Sequence, residues 1–215
     1  MLIPEVTRNL DRPRHFSMIR SFHAADVVTL LNGFLGASAV LAFMRFTIDR
    51  RAAFFWLGTA LLPLAFVMDA LDGRIARRRG MASPLGQELD SLADVVSFGV
   101  APAAMAFAAG MRGGWDALFL IYFVGCGISR LARYNVTASE LSGPTGKVSH
   151  FEGLPIPTSL LLVALMAVLA ALGRWQEHLP FGRITFAGLT LHPIAIVFGL
   201  HGSAMVSKTL RIPKP

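Results

Sequence analysis

Met68-Asp69-Ala70-Leu71-Asp72-Gly73-Arg74-Ile75-Ala76-Arg77-Arg78-Arg79-Gly80-Met81-Ala82-Ser83-Pro84-Leu85-Gly86-Gln87-Glu88-Leu89-Asp90-Ser91-Leu92-Ala93-Asp94 joins two apolar runs, Leu61–Val67 and Val95–Val100. Four aspartates therefore sit at the edges of segments otherwise suited to lipid, where one ionised Asp at a membrane helix centre costs about 2.5–3.5 kcal/mol. Four together also repel one another, so something must compensate them. Asp69 and Asp72 are i and i+3 on one predicted helix, and Asp90 and Asp94 are i and i+4 on the next, so each pair shares a face. Two antiparallel helices joined by the polar turn at Arg77–Gly86 would bring the pairs together as a cage of carboxylates. Hard oxygen ligands suit Mg²⁺, Mn²⁺ or Ca²⁺, and no Cys or His accompanies them to suggest zinc. Such a cage has oxygens enough for two divalent ions, the arrangement used in displacement at phosphorus. The structural alternative is a network of ion pairs with Arg74, Arg77, Arg78 and Arg79, which has no need of two same-face pairs.

The residues between the pairs suit a nucleotide diphosphate. Gly73 and Ala76 leave one helix surface bare, so a base or pyrophosphate can approach the backbone. Arg77 supplies a planar fork for phosphate oxygens, and Gly86, one turn before Asp90, thins the second helix. The same small residues equally permit close packing of membrane helices.

Outward from this stretch, composition places the chain in a membrane. Of its 215 residues 54% are hydrophobic and only 15% charged, against about a quarter charged in soluble domains, and the mean hydropathy is +0.57. Six stretches, near 24–46, 53–78, 89–111, 115–136, 155–173 and 187–207, are apolar and long enough for a helix of about 20 residues to cross a bilayer. The predicted architecture is an all-α, polytopic membrane protein: a segment 1–23, a six-helix domain 24–207, and a tail 208–215. With both termini cytoplasmic, the inner segments hold fourteen of the twenty Lys and Arg, as the positive-inside rule requires. The first twenty residues carry Arg8, Arg12, Arg14 and Arg20 with no apolar core, so the first span is expected to serve as an uncleaved anchor. The net charge of +7 reads as topology signal and anchorage to anionic membrane lipids, since no basic stripe with interleaved aromatics suggests nucleic acid. Cys126 lies in an apolar run and, as the one cysteine, forms no intrachain disulfide. His23, His150 and His201 show no pairing spacing and read as structural.

The pattern Asp69-x2-Asp72-Gly73-x2-Ala76-Arg77-x8-Gly86-x3-Asp90-x3-Asp94 resembles the signature of the CDP-alcohol phosphotransferase family at every defined position. The resemblance implies a six-helix membrane fold, homodimeric, with the site facing the cytoplasm. It implies two divalent cations, Mn²⁺ or Mg²⁺, held by Asp69, Asp72, Asp90 and Asp94, with Asp94 also the proton acceptor. Gly73, Arg77 and Ser83 would touch the CDP group. Asp26 and Thr29 match a short family position near the nucleotide, where N-capping of the first helix by Asp26 is an equal alternative.

The flanks are similar to the serine-using branch of that family, the fungal and bacterial phosphatidylserine synthases that take CDP-diacylglycerol. The run Gly86–Ala103, the run Ser129-Arg130-Leu131-Ala132-Arg133-Tyr134-Asn135-Val136 and the run Phe151-Glu152-Gly153-Leu154-Pro155-Ile156-Pro157 carry that likeness, as does the ending Ser207–Pro215. One departure is Tyr134, where the fungal proteins usually have Phe beside arginines implicated in holding serine. Arg130 and Arg133, i and i+3 at the end of the fourth span, suit a forked contact to the L-serine carboxylate or a snorkelling pair among lipid phosphates. Glu152 is the candidate for the ammonium group.

The expected reaction is metal-assisted attack of the serine hydroxyl on the lipid-linked phosphorus of CDP-diacylglycerol, with CMP leaving. Within the same chemistry the alternatives are inositol or glycerol 3-phosphate as acceptor, or an archaeal-type lipid donor. In another class stands a cation or proton transporter, which would spread its carboxylates along a route. With 17 Arg to 3 Lys, the bacterial cytoplasmic membrane is preferred over the endoplasmic reticulum.

Overall fold

The computed structural model describes residues 24–79, 84–141, 150–207, 209 and 211–213. The expected segments 1–23 and most of the tail from 208, together with Ser83, lie outside them. Seven α-helices dominate: α1 (Ala24–Asp49), α2 (Ala52–Arg79), α3 (Pro84–Asp94), α4 (Ala101–Ala109), α5 (Gly114–Leu141), α6 (Leu160–Ala171) and α7 (Ala195–Val206). A π-helical segment, Val95–Val100, joins α3 to α4 into one continuous rod, and a 3₁₀ turn, Ile156–Ser159, leads into α6.

Among the described residues, four helices are long and apolar enough to cross a membrane: Ala25–Asp49, Ala52–Ile75, Leu85–Ala109 and Gly114–Val136. Pro63 sits inside α2, a position that lipid-embedded helices accommodate because neighbours re-satisfy the freed carbonyl. The fifth and sixth expected spans are shorter apolar helices, Ile156–Ala171 and Ala195–Val206. The sixth expectation, a helix over 187–207, is corrected in its first third. Residues Ile184–Phe186 (β2) and Leu189–Leu191 (β3) pair as an antiparallel hairpin, and α7 starts only after Pro193. Ala187 and Gly188 both take positive φ, 50° and 75°, as a two-residue hairpin turn requires. Pro193 has no N–H to give a preceding turn and fits the start of a helix. A second small sheet pairs β1 (His150–Glu152) with β4 (Arg211–Pro213), so the chain is mostly helical with two small two-stranded sheets.

α1 runs along α2 and also packs against α3, the π segment and α4. The closest approach is at Gly36, where a Cβ would lie 2.7 Å from the Ser97 Cα; only hydrogen fits there. Phe43, Phe46, Phe55, Phe98, Phe123 and Phe198 fill the core between the helices.

At one end of the bundle, Asp116 in the first turn of α5 is fully buried. Its carboxylate accepts from the Gly113 amide (2.8 Å), the His192 amide (2.7 Å) and His192 Nδ1 (2.6 Å). This fastens the β2–β3 hairpin to the head of α5. The opposite end gathers the C-terminal turns of α2 and α5 and the start of α1 and α3.

Candidate active site

Three helices build the site. α2 brings Asp69 and Asp72, α3 brings Asp90 and Asp94, and α1 supplies a wall of buried polar residues that sequence reasoning identified only in part. One carboxylate oxygen each from Asp69, Asp72 and Asp90 lies within 4.8 Å of the others. Asp94, one helical turn further along α3, is not part of that trio but is close enough for its charge to interact with all three. The face-sharing expected from i, i+3 and i, i+4 spacing is therefore what gathers the carboxylates.

Asp26 and Thr29 are buried in the first turns of α1. Asp26 falls inside the helix, not before it, so it is not an N-cap. Thr29 Oγ1, 2.6 Å from Asp72 Oδ2 and 3.1 Å from its own Ala25 carbonyl, ties α1 to α2. One turn on, Asn32 has no exposed surface, and its Nδ2 donates to Asp94 Oδ1 at 3.3 Å. Ser97 Oγ donates to the Asn32 backbone carbonyl at 3.0 Å, so the π segment and α1 lock together directly behind Asp94. Asn32 and Ser97 were missed by the sequence reading. The available signal was an amide in an apolar helix, on the face already marked by Asp26 and Thr29.

These residues fit divalent cations. Asp90 Oδ1 is buried without a hydrogen-bond partner, a position that costs roughly 1–3 kcal/mol or more for a charged group unless something cationic faces it. Its neighbours in the trio are two further carboxylates, an all-oxygen donor set suited to Mg²⁺ or Mn²⁺. The ion-pair alternative rested on the arginines after Gly73. Arg74 is exposed, and the side chains of Arg77, Arg78 and Arg79 lie outside the described residues, as does that of Ala76. Gly73 stands on α2 one residue beyond Asp72, and Gly86 on α3 one turn before Asp90.

The expected acceptor residues separate. The partly buried Arg130 guanidinium lies close enough to the Asp94 carboxyl for the two charges to interact. Arg133 is turned elsewhere, with Nη1 donating to the Val206 carbonyl at 3.3 Å, where it caps the C-terminus of α7. Tyr134 is exposed on α5. The backbone of Glu152 pairs with Arg211 across β1 and β4, its side chain lying outside the described residues. Asn135, within the same run as the two arginines, bonds to Ser91 on α3 (Nδ2 to Oγ, 3.0 Å) and accepts from Gln87 Nε2 at 3.3 Å. That cluster braces the arginine-bearing end of α5 against the aspartate-bearing helix.

The CDP-alcohol phosphatidyltransferase family model matches residues 22–201, a span that contains the whole carboxylate cluster and α1's polar wall. The chain belongs to this family. Among individual relatives, a Saccharomyces cerevisiae CDP-diacylglycerol–serine O-phosphatidyltransferase is 48% identical over 204 residues, 94% of this chain and 74% of the yeast protein. A Mycobacterium leprae protein of the same name is 37% identical over 138 residues, 62% of this chain and 44% of its own length. An archaetidylserine synthase from Methanothermobacter thermautotrophicus is 34% identical over 154 residues, 68% of this chain and 58% of its own. As a member of the CDP-alcohol phosphatidyltransferase family, the chain carries an acidic cluster of the kind that its fellow members load with divalent metal.

Proposed function

We propose that the chain transfers the phosphatidyl group of CDP-diacylglycerol to the hydroxyl of L-serine, giving phosphatidylserine and CMP. The observation that carries this reading is the carboxylate trio of Asp69, Asp72 and Asp90, with Asp94 held beside it by Asn32, in a chain so similar to the yeast serine enzyme. Serine as acceptor draws support from all three relatives, whose names differ in the lipid donor. Diacylglycerol is preferred because the yeast likeness is stronger and covers more of the chain.

In this reading Asp69, Asp72 and Asp90 hold two divalent cations, Mg²⁺ or Mn²⁺, with Asp94 completing the ligand set. When bound, they neutralise the pyrophosphate and the charge that builds on the departing CMP. Gly73, Ala76 and Gly86 leave room for the nucleotide, Asp26 and Thr29 line it from α1, and Arg77 and Ser83 contact the phosphates. Asp94 takes the proton from the serine hydroxyl, a contribution of about 10²–10⁴-fold for a positioned general base. Arg130, already near Asp94, receives the serine carboxylate, with Arg133, Tyr134 and Glu152 around it. Six membrane segments, both termini cytoplasmic, a cytoplasm-facing site and a homodimer complete the proposal, supported by the distribution of Arg and Lys and by the family resemblance. The bacterial cytoplasmic membrane is the preferred location.

The test is CMP release by purified protein in detergent with CDP-diacylglycerol, Mn²⁺ or Mg²⁺, and each alcohol in turn. Release that requires both metal and L-serine, with phosphatidylserine recovered, supports the proposal. Release with inositol or glycerol 3-phosphate instead keeps the chemistry and overturns the acceptor, and preference for an archaeal-type donor overturns the lipid. No release with any alcohol overturns the enzyme in favour of a transporter.

A further inference from the structure

The end of the bundle opposite the carboxylates carries an apolar hairpin whose Leu191 packs against the core while Ile184, Phe186 and Leu189 stay largely exposed. β2 and β3 pair Ile184 with Leu191 and Phe186 with Leu189, while Thr185 faces Thr190. Directly opposed residues share a face of an antiparallel ladder, so one face is wholly aliphatic and aromatic and the other carries hydroxyls. Phe186 is 67% exposed and Ile184 52%. Beside them Phe181 is 82% exposed and held at φ 67°, a conformation unfavourable for a bulky side chain.

Helix length indicates what surrounds this hairpin. α7 has 12 residues, about 18 Å at 1.5 Å per residue. The apolar stretch Ile156–Ala171 has 16, about 24 Å. Neither reaches across a hydrocarbon core of about 30 Å. The segment that links them, 172–194, therefore lies toward the boundary on that side, where the open edges of a two-stranded hairpin can stay hydrated as they could not in the hydrocarbon core.

All three tryptophans of the chain mark the same end. Trp56 opens α2, Trp115 opens α5, and Trp175 follows α6. Trp115 Nε1 donates to the Phe186 carbonyl at 3.0 Å, and Trp175 stacks on Phe46 with ring centroids 5.3 Å apart. Tryptophans collect at the membrane–water boundary, and the exposed Arg174 and Arg183 suit lipid phosphates at that level.

We infer that the β2–β3 hairpin, with Phe181, is a membrane-interface element seated in the lipid boundary on the face opposite the active site, its apolar side chains contacting acyl chains. It completes the apolar thickness that α6 and α7 lack. This does not depend on which alcohol the protein uses, only on α6 and α7 lying in the bilayer with the longer helices.

The experiment places a nitroxide on a cysteine introduced at Phe181, at Phe186 or at Thr185, in full-length protein reconstituted into phosphatidylcholine–phosphatidylglycerol vesicles. The buried Cys126 leaves each new site as the one addressed. Labels at 181 and 186 should collide severalfold more with oxygen, which concentrates in lipid, than with an aqueous nickel chelate, and the label at 185 less so. Nickel collisions dominating at 181 and 186 would place the hairpin in water and overturn the inference. Low collision with both reagents, from burial against a second copy or another protein, would overturn it too. In the unsubstituted protein, lipids brominated near the carbonyls should quench tryptophan emission more than lipids brominated at the chain ends. The reverse order would count against the inference without any variant having to fold.

Discussion

Replacing Asn32 with Leu separates positioning from folding at the site. Asn32 is wholly buried, and its Nδ2 makes a 3.3 Å bond to Asp94 Oδ1 while its Oδ1 has no partner. Leu is close in volume and removes both atoms. A hydrogen bond to a charged group is worth about 1.5–3 kcal/mol, and the length of this one puts it at the lower end. If that bond holds Asp94 where the serine hydroxyl must be deprotonated, its loss lowers kcat by about tenfold to a hundredfold, at 1.36 kcal/mol per decade.

Stability should move little. The lost bond costs the fold, but the orphaned Oδ1 carried a desolvation penalty of about 1–3 kcal/mol that Leu removes, so the two effects offset. The expected result is a melting temperature in detergent near that of the unsubstituted protein, an unchanged KM for CDP-diacylglycerol, and a depressed kcat for serine-dependent CMP release. Asn32→Asp adds a fifth carboxylate and should be worse than Leu in both respects. Wild-type kcat in a well-folded Asn32→Leu protein would refute the positioning argument. Wholesale unfolding would instead refute the claim that the amide is balanced between gain and cost.

Asp90→Asn should abolish metal-dependent CMP release while leaving the protein inserted, and chelation of divalent ions should silence the unsubstituted protein and be reversed by Mn²⁺ or Mg²⁺; activity in the chelator would refute the metal role of the trio. Gly36→Ala drives a methyl to within 2.7 Å of the Ser97 Cα, and the overpacking should cost about 1–3 kcal/mol and lower turnover, because Ser97 and Asn32 back Asp94. Thermal denaturation and CMP release together read both effects. Asp116→Ala removes three hydrogen bonds at the far end and strands His192, a loss of about 3–5 kcal/mol for a broken buried pair. Its melting temperature should fall sharply, while turnover at low temperature per folded molecule stays near wild type.

What the sequence discloses is set by how local its signals are. The four long helices appear in it because each is a long, mainly apolar run, and the carboxylates appear because helical spacing alone puts Asp69 with Asp72 and Asp90 with Asp94. The hairpin is harder to read, since Leu189, Leu191, Ile194 and Ile196 look the same to a hydropathy window whether strand or helix carries them. Ala187-Gly188 and Pro193 were the local cues to the break. Asn32 could not be paired with Asp94 or Ser97 from sequence, because it meets them across 62 and 65 residues and between helices. The same limit hid the contact of Arg133 Nη1 with the Val206 carbonyl, 73 residues away at the end of α7.

That α1 is a wall of the site changes how the four aspartates are to be understood. Two helices alone would set four carboxylates against each other with nothing to fix which oxygen points where. Thr29 engages an oxygen of Asp72 and Asn32 one of Asp94, while the Asp90 Oδ1 is buried without a partner. The donors on α1 thus restrain one aspartate from each of the other two helices and, in the proposed reading, leave Asp90 to a cation. The close approach at Gly36 is what lets α1 come near enough to do so, and the π segment that follows Asp94 is what brings Ser97 round to meet it. In the proposed reading α1 thereby sets the orientation of groups on α2 and α3, and the site's geometry is a property of three packed helices more than of the signature on two of them.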